Sequence, residues 1–212
     1  WLEPLLATAR LEGWPEEASP ERLPDGTLVL TDPLDGSIQA RARLDMQTLR
    51  LIHGHLAWSL DRRVTHAQLW LGRKVKIIDG TTLSMPDTPA NQQSWPQPST
   101  QKEGLGFPCM KLTGIFSLAS GALEDYATGT LHQHESVLFR SLWDGLEKGD
   151  VMLGDRGFCS YAALAALSRR GIDSVMRLHQ ARKVSFREGR RLGQDDRAVT
   201  WEKPAQRTDA WS

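Results

Sequence analysis

Two short apolar runs, each closed by an aspartate, constrain this chain more than any other feature. The first is Val75-Lys76-Ile77-Ile78-Asp79-Gly80-Thr81-Thr82; the second is Val151-Met152-Leu153-Gly154-Asp155-Arg156-Gly157-Phe158. Short, nearly continuous apolar runs are the pattern of strands buried on both faces, as in parallel sheets. In open α/β sheets, ligands gather beyond the carboxyl ends of the strands. If the two strands are neighbours, both carboxylates converge there. Two like charges about 4 Å apart repel by roughly 4 kcal/mol at an effective dielectric near 20. Such a pair calls for a shared proton or a shared cation. With no His or Cys clustered beside these oxygens, a hard cation such as Mg²⁺ is the better match.

A chain of 212 residues is long enough to bury a core and suggests one domain with an appendage. No apolar run approaches the roughly 18 residues of a membrane span, and no signal peptide is visible. A cytoplasmic protein is expected. The first residue is Trp1, so the natural start is expected upstream. Cys109 and Cys159 are the only cysteines, and their spacing makes neither a zinc signature nor a disulfide framework. They read as free thiols of a reducing compartment. The net charge of zero hides an asymmetry. Residues 1–36 carry two Lys/Arg against eight Asp/Glu, and residues 37–212 carry 24 against 18. Eight basic residues fall between Arg169 and Arg191, among them Arg182, Lys183, Arg190 and Arg191. Such a run is either a solvated face or a track for a phosphate backbone.

Residues 1–36, rich in Pro and turn residues, read as an acidic, irregular lead-in with a short helix before Gly13. A helix is expected over 45–60, capped by Asp45, with Leu49, Ile52, Leu56 and Leu60 on a buried face. After the strand at 75–79, residues 85–108 form a long polar loop containing five prolines. Loops of this length are often functional. Residues 109–120 and 122–131 read as a hairpin turning at Ser120-Gly121. A helix over 134–146, a strand over 151–155, a helix over 161–170 capped by Ser160, and a strand over 173–179 follow. Residues 183–201 read as a further hairpin. The order strand, strand, strand, helix, strand, helix, strand is that of a ribonuclease H-like α/β fold, a mixed sheet flanked by helices. In it the first and fourth strands are neighbours.

Several of these pieces carry a family resemblance. The two Asp runs, Met85-Pro86-Asp87-Thr88-Pro89, Gly106-Phe107-Pro108, the extension Cys159-Ser160-Tyr161 and Arg177-Leu178-His179 occur in consistent order and spacing. Together they resemble DDE transposases of bacterial insertion sequences, in particular the insertion sequence 4 family, over residues 37–205. The resemblance implies a ribonuclease H-like core at 37–182, here incomplete, and the start of a β insertion at 183–212. It implies DNA transposition by metal-dependent strand cleavage and strand transfer. Asp79 and Asp155 match the first two acids of the family's triad, which holds two divalent ions, Mg²⁺ or Mn²⁺. The third acid of the family lies on a helix beyond the insertion, and no residue of this chain matches it. An inactive fragment is therefore the expectation. The implied partners are double-stranded DNA, both transposon ends and target, and a second copy in a synaptic homodimer. The implied location is the bacterial nucleoid.

Plainer readings stand beside these. Asp-Gly at 79–80 often only makes a turn. Asp155 could cap a helix or pair with Arg156, and Arg156 itself suits either a carboxylate or a phosphate. Leu131-His132-Gln133-His134-Glu135 lacks the spacing that sets two imidazoles on one helical face, so zinc is disfavoured. Glu135 fits the start of the following helix, and would replace the missing acid only by a coincidence of geometry. The alternatives to a transposase core are a non-catalytic DNA-binding or interaction module and a ribonuclease H-like nuclease unrelated to transposition.

Overall fold

A computed structural model of the chain describes residues 20–22, 28–30, 45–102, 104–178, 185 and 187–203. The chain divides into two units, Trp1–Ser59 and Leu60–Ser212. In the first, β1 (Pro20–Arg22) pairs antiparallel with β2 (Leu28–Leu30). The short helix expected before Gly13 lies outside the described residues.

Helix α1 (Met46–Asp61) begins where the sequence places it, because the Asp45 carboxylate accepts from the Thr48 backbone N–H at 2.7 Å. Its apolar stripe is not buried as expected: Leu49, Leu56 and Leu60 are 41%, 47% and 41% exposed. Periodicity shows that a stripe exists, whereas burial needs a facing surface. Among the residues of α1, Thr48 and Ala57 are the buried ones.

The second unit is built on five strands: β3 (Val75–Ser84), β4 (Cys109–Ser117), β5 (Leu123–Thr130), β6 (Val151–Gly154) and β7 (Asp173–Met176). Their order is β5-β4-β3-β6-β7. The β3–β4 and β4–β5 pairs are antiparallel, and β3–β6 and β6–β7 are parallel. This is the mixed ribonuclease H-like sheet, with the first and fourth of its strands adjacent. Gly121, at φ +71°, makes the β4–β5 turn where the sequence signals it.

Side chains alternate across each strand, so the sheet has two distinct faces. One carries Ile78, Ile115 and Met152, which pack against Phe139, Leu142, Trp143, Phe158, Ala163 and Leu167. Phe139 meets Trp143 and Phe158 edge-on, with ring centroids 5.6 and 5.4 Å apart. Full burial of a side chain such as Ile78 or Phe139 stabilises by about 1.5–3 kcal/mol. The covering helices are α3 (Glu135–Ser141), the turn Trp143–Gly145, and α4 (Tyr161–Arg169). The sequence predicts one helix over 134–146. It breaks at Ser141, whose hydroxyl donates to the Leu138 carbonyl at 2.7 Å and competes with the helical pattern. Leu138, Phe139, Leu142 and Trp143 are buried nonetheless, and Leu146 is half-buried. Helix α4 starts on Ser160, whose Oγ accepts from the Ala163 N–H at 3.1 Å.

The other face carries Val75, Val151, Leu153 and Val175, which with Trp70 and Leu118 line an apolar hollow of about 280 Å³. Trp70, Leu118 and Val175 are about half exposed. Burial on both faces, expected from the continuous apolar runs, is thus complete on one face only among the described residues.

At the amino ends of the parallel strands Arg73 acts as a clamp. It donates to the Gly149 carbonyl at 2.7 Å, to Asp173 at 2.7 Å and to the Asp150 carbonyl at 3.1 Å. Lys76, buried within β3, is paired with Glu124 of β5. Among the described residues the C-terminal hairpin consists of β8 (Arg190–Arg191) paired antiparallel with β9 (Arg197–Ala198). Val184 and Phe186, expected in its first strand, lie outside the described residues.

Candidate metal centre at the strand ends

The parallel register of β3 and β6 brings Ile77 level with Leu153 and Ile78 level with Gly154. The next residue in each run is an aspartate: Asp79 within β3, and Asp155 immediately after the end of β6. Alternation puts Asp79 on the face opposite the helices, in the row of Val75 and Ile77, and Asp155 follows directly on the row of Val151 and Leu153. Gly154 makes this approach feasible, because a Cβ there would lie 2.8 Å from Ile78 Cγ2. The apolar residues before each aspartate therefore fix the strands, and the strands fix the acids.

Both carboxylates are exposed. Asp79 Oδ1 accepts from the Gly80 N–H at 2.8 Å, and Asp155 Oδ1 accepts from the Gly157 N–H at 2.8 Å. One oxygen of each is thereby oriented by backbone. No ion pair to either acid is formed among the described residues. Two adjacent acids without a cationic partner, each with an oxygen left over, fit a hard divalent cation. Among the described residues, no third His, Cys, Asp or Glu joins the pair. Glu135 does not: its carboxyl carbon lies 3.7 Å from where a Cβ on Gly80 would be. Gly80 faces the helices, so Glu135 sits across the sheet from Asp79.

The basic residues divide. Arg156 follows Asp155 directly and is exposed. Arg190 and Arg191 lie exposed on β8, Arg191 donating Nε–H to the Gly193 carbonyl at 2.9 Å. Arg182 and Lys183, and also His179, lie outside the described residues. Arg170 is committed internally, donating to the Trp143 carbonyl at 2.9 Å and to Asp144 at 3.2 Å while its guanidinium lies over the Trp143 ring. Cys109 and Cys159 are buried thiols.

The long loop carries an order that its prolines do not announce. It contains α2 (Pro89–Ser94), begun by Thr88, whose side chain accepts from the Asn91 N–H. Asp87 accepts from Gln92 Nε2 at 2.8 Å. A hollow of about 530 Å³ in this loop, lined by Gln92, Pro96, Gln97, Pro98 and Gln101 among others, includes neither Asp79 nor Asp155.

Fold and site together define a ribonuclease H-like core with a strand-end carboxylate pair. The model of the transposase DDE domain matches residues 70–210, and the chain belongs to that family. It is 27% identical over 174 residues to the transposase InsG for insertion sequence element IS4 of Escherichia coli strain K12. That alignment covers 82% of this chain, and the chain spans about 39% of the length of that relative. Among the described residues, no helix is long and apolar enough to cross a membrane.

Proposed function

We propose that this chain supplies two of the metal-holding acids for the strand cleavage and strand transfer of DNA transposition. The observation that carries this is the parallel β3–β6 register, which ends one residue before Asp79 and Asp155 in a DDE transposase domain, with no ion pair to either acid among the described residues. When bound there, two Mg²⁺ or Mn²⁺ ions would polarise the scissile phosphate and lower the pKa of the attacking water or 3′-hydroxyl. Asp79 and Asp155 hold that charge with their uncommitted oxygens, while Gly80 and Gly157 keep the carboxylates in place. Arg156, beside Asp155, contacts a phosphate of the bound strand. Arg182, Lys183, Arg190 and Arg191 supply further contacts to the phosphate backbone. The DNA partners are transposon ends and target, brought together by a second copy of the protein, in a cytoplasmic, nucleoid-associated setting.

Two carboxylates anchor a second ion poorly, since Mg²⁺ demands near-octahedral oxygen ligation. The 212-residue polypeptide therefore binds DNA but does not cut it. The lack of a third ligand among the described residues also favours the alternative of a DNA-binding module without catalysis. One experiment serves both readings. The purified chain is mixed with duplex DNA and with supercoiled plasmid in Mg²⁺ or Mn²⁺. Retarded DNA without nicked plasmid is expected. Absence of binding at low salt would sink the DNA reading. Nicking that disappears in Asp79→Ala would show that another acid completes the site.

A further inference from the structure

The place that a side chain on Gly80 would fill, on the helix side of β3, is ringed by oxygen donors. A Cβ there would lie 3.6 Å from the Leu112 carbonyl oxygen, 3.6 Å from Thr113 Oγ1 and 3.7 Å from the Glu135 carboxyl carbon. These are ordinary van der Waals distances, so a methyl would fit, and its absence leaves a small cradle. Strand β4 supplies two of the donors because its register sets Thr113 opposite Gly80. Glu135 of α3 supplies the third.

Two of these donors lack a partner. Thr113 is 0% exposed, and its Oγ1 makes no hydrogen bond. Buried hydroxyls are almost always satisfied, so an orphan here points to something that the cradle holds. Glu135 is half-buried, and no ion pair to it is formed among the described residues. Lys111, two residues before Thr113 on β4, is the natural counter-charge, but it donates to the Gln133 carbonyl at 2.9 Å. A carboxylate withdrawn from water without a cation is costly. Carboxylate, hydroxyl and carbonyl are hard oxygen ligands, with no nitrogen or sulfur among them. One carboxylate brings one negative charge, which a single positive charge cancels. Mg²⁺ keeps several of its waters, and a space vacated by one methyl cannot hold them. A water molecule alone would satisfy the hydroxyl and leave the carboxylate charge uncompensated. Charge and space together select a small monovalent cation.

We propose that this cradle binds one Na⁺ ion, held by the Glu135 carboxylate, Thr113 Oγ1 and the Leu112 carbonyl. The ion ties α3 to β3 and β4 at the residue after Asp79, across the sheet from the carboxylate of Asp79 and independent of any ion there. The test uses the full 212-residue chain in EDTA, which removes divalent ions. Melts are compared in NaCl and in tetramethylammonium chloride, both at roughly 0.1 M so that screening is equal. Tetramethylammonium carries the same charge but is too large for the cradle. Wild type should melt about 2–4 °C higher in NaCl and should broaden the sodium NMR resonance. Gly80→Ala puts a methyl in the cradle, and Thr113→Val removes a ligand while keeping its shape. Each should melt alike in the two salts and leave the sodium line narrow, and Gly80→Ala should match wild type in tetramethylammonium. Equal melting of wild type in both salts overturns the proposal, as does a sodium gain that survives both substitutions. Thr113→Val melting above wild type in NaCl would show that the hydroxyl is an orphan and not a ligand. Should either variant fail to fold, Glu135→Gln decides: the sodium gain must vanish from it, and its persistence overturns the site.

Discussion

Removing one charge from the carboxylate pair should affect stability in opposite directions with and without metal. Partners in adjacent parallel strands lie about 4.8 Å apart. At that separation two carboxylates repel by about 0.9 kcal/mol in water and about 3.5 kcal/mol at an effective dielectric of 20. Asp79 and Asp155 are both exposed, which favours the lower value, about 1 kcal/mol. In Asp79→Asn the amide oxygen still accepts from the Gly80 N–H, so little else is lost. The variant should melt about 2–4 °C higher than wild type in EDTA. Wild type, with a dissociation constant of order 1 mM, should gain about 1.4 kcal/mol in roughly 10 mM Mg²⁺, and the variant almost nothing. Circular dichroism melts of wild type, Asp79→Asn and Asp155→Asn in both buffers give the comparison. A loss of more than about 5 °C in EDTA would mean that the carboxylate is structural. Equal Mg²⁺ gains in all three proteins would refute a shared ion.

Three further outcomes follow from particular contacts. Lys76, 6% exposed at its side chain, is paired with Glu124, so Glu124→Gln alone should cost about 3–5 kcal/mol in chemical denaturation, and Lys76→Met with Glu124→Leu should recover most of it. The Lys74 ammonium donates to Asp61 at 3.0 Å, and this bond, aided by the charges of Asp61, Glu147 and Asp150, outweighs partial desolvation and raises its pKa above the ordinary 10.5. A raised pKa means that the stabilisation is complete below 10.5 and is lost as pH climbs through the folded value; a pH series of melts should show that alkaline loss in wild type and a smaller one in Asp61→Asn. If five to seven basic side chains, Arg156, Arg190 and Arg191 among them, reach phosphates, log K should fall against log salt with a slope of about −4 to −6, and a flat dependence would reject the backbone track.

What the sequence makes legible is whatever local chemistry decides. The two Asp runs, the Asp45 and Ser160 caps and the Gly121 turn each rest on one or a few adjacent residues, and each is found in place. The element order suffices for the sheet topology because a ribonuclease H-like order leaves few ways to connect it. The rest depends on partners far away in sequence. Strand β3 runs on to Ser84, but Thr81-Thr82-Leu83-Ser84 is solvent-exposed and gives no apolar alternation to mark it. The buried Lys76 reads as a polar interruption until Glu124 is seen 48 residues away. Arg73 looks like any surface arginine until three strand ends meet around it. The stripe on α1 is plain in sequence, yet its burial depends on a surface that periodicity does not supply.

The central claim, that DNA lies against a divalent ion shared by Asp79 and Asp155, is tested most directly by affinity cleavage. Fe²⁺ is added to the chain bound to end-labelled duplex DNA, and ascorbate with peroxide generates short-lived radicals at the bound ion. Cuts should cluster within a few base steps on the strands nearest the site, compete away with excess Mg²⁺, and vanish in Asp79→Asn and Asp155→Asn while DNA binding persists. Cuts spread evenly along the duplex, or a cluster undiminished in both variants, would contradict the claim.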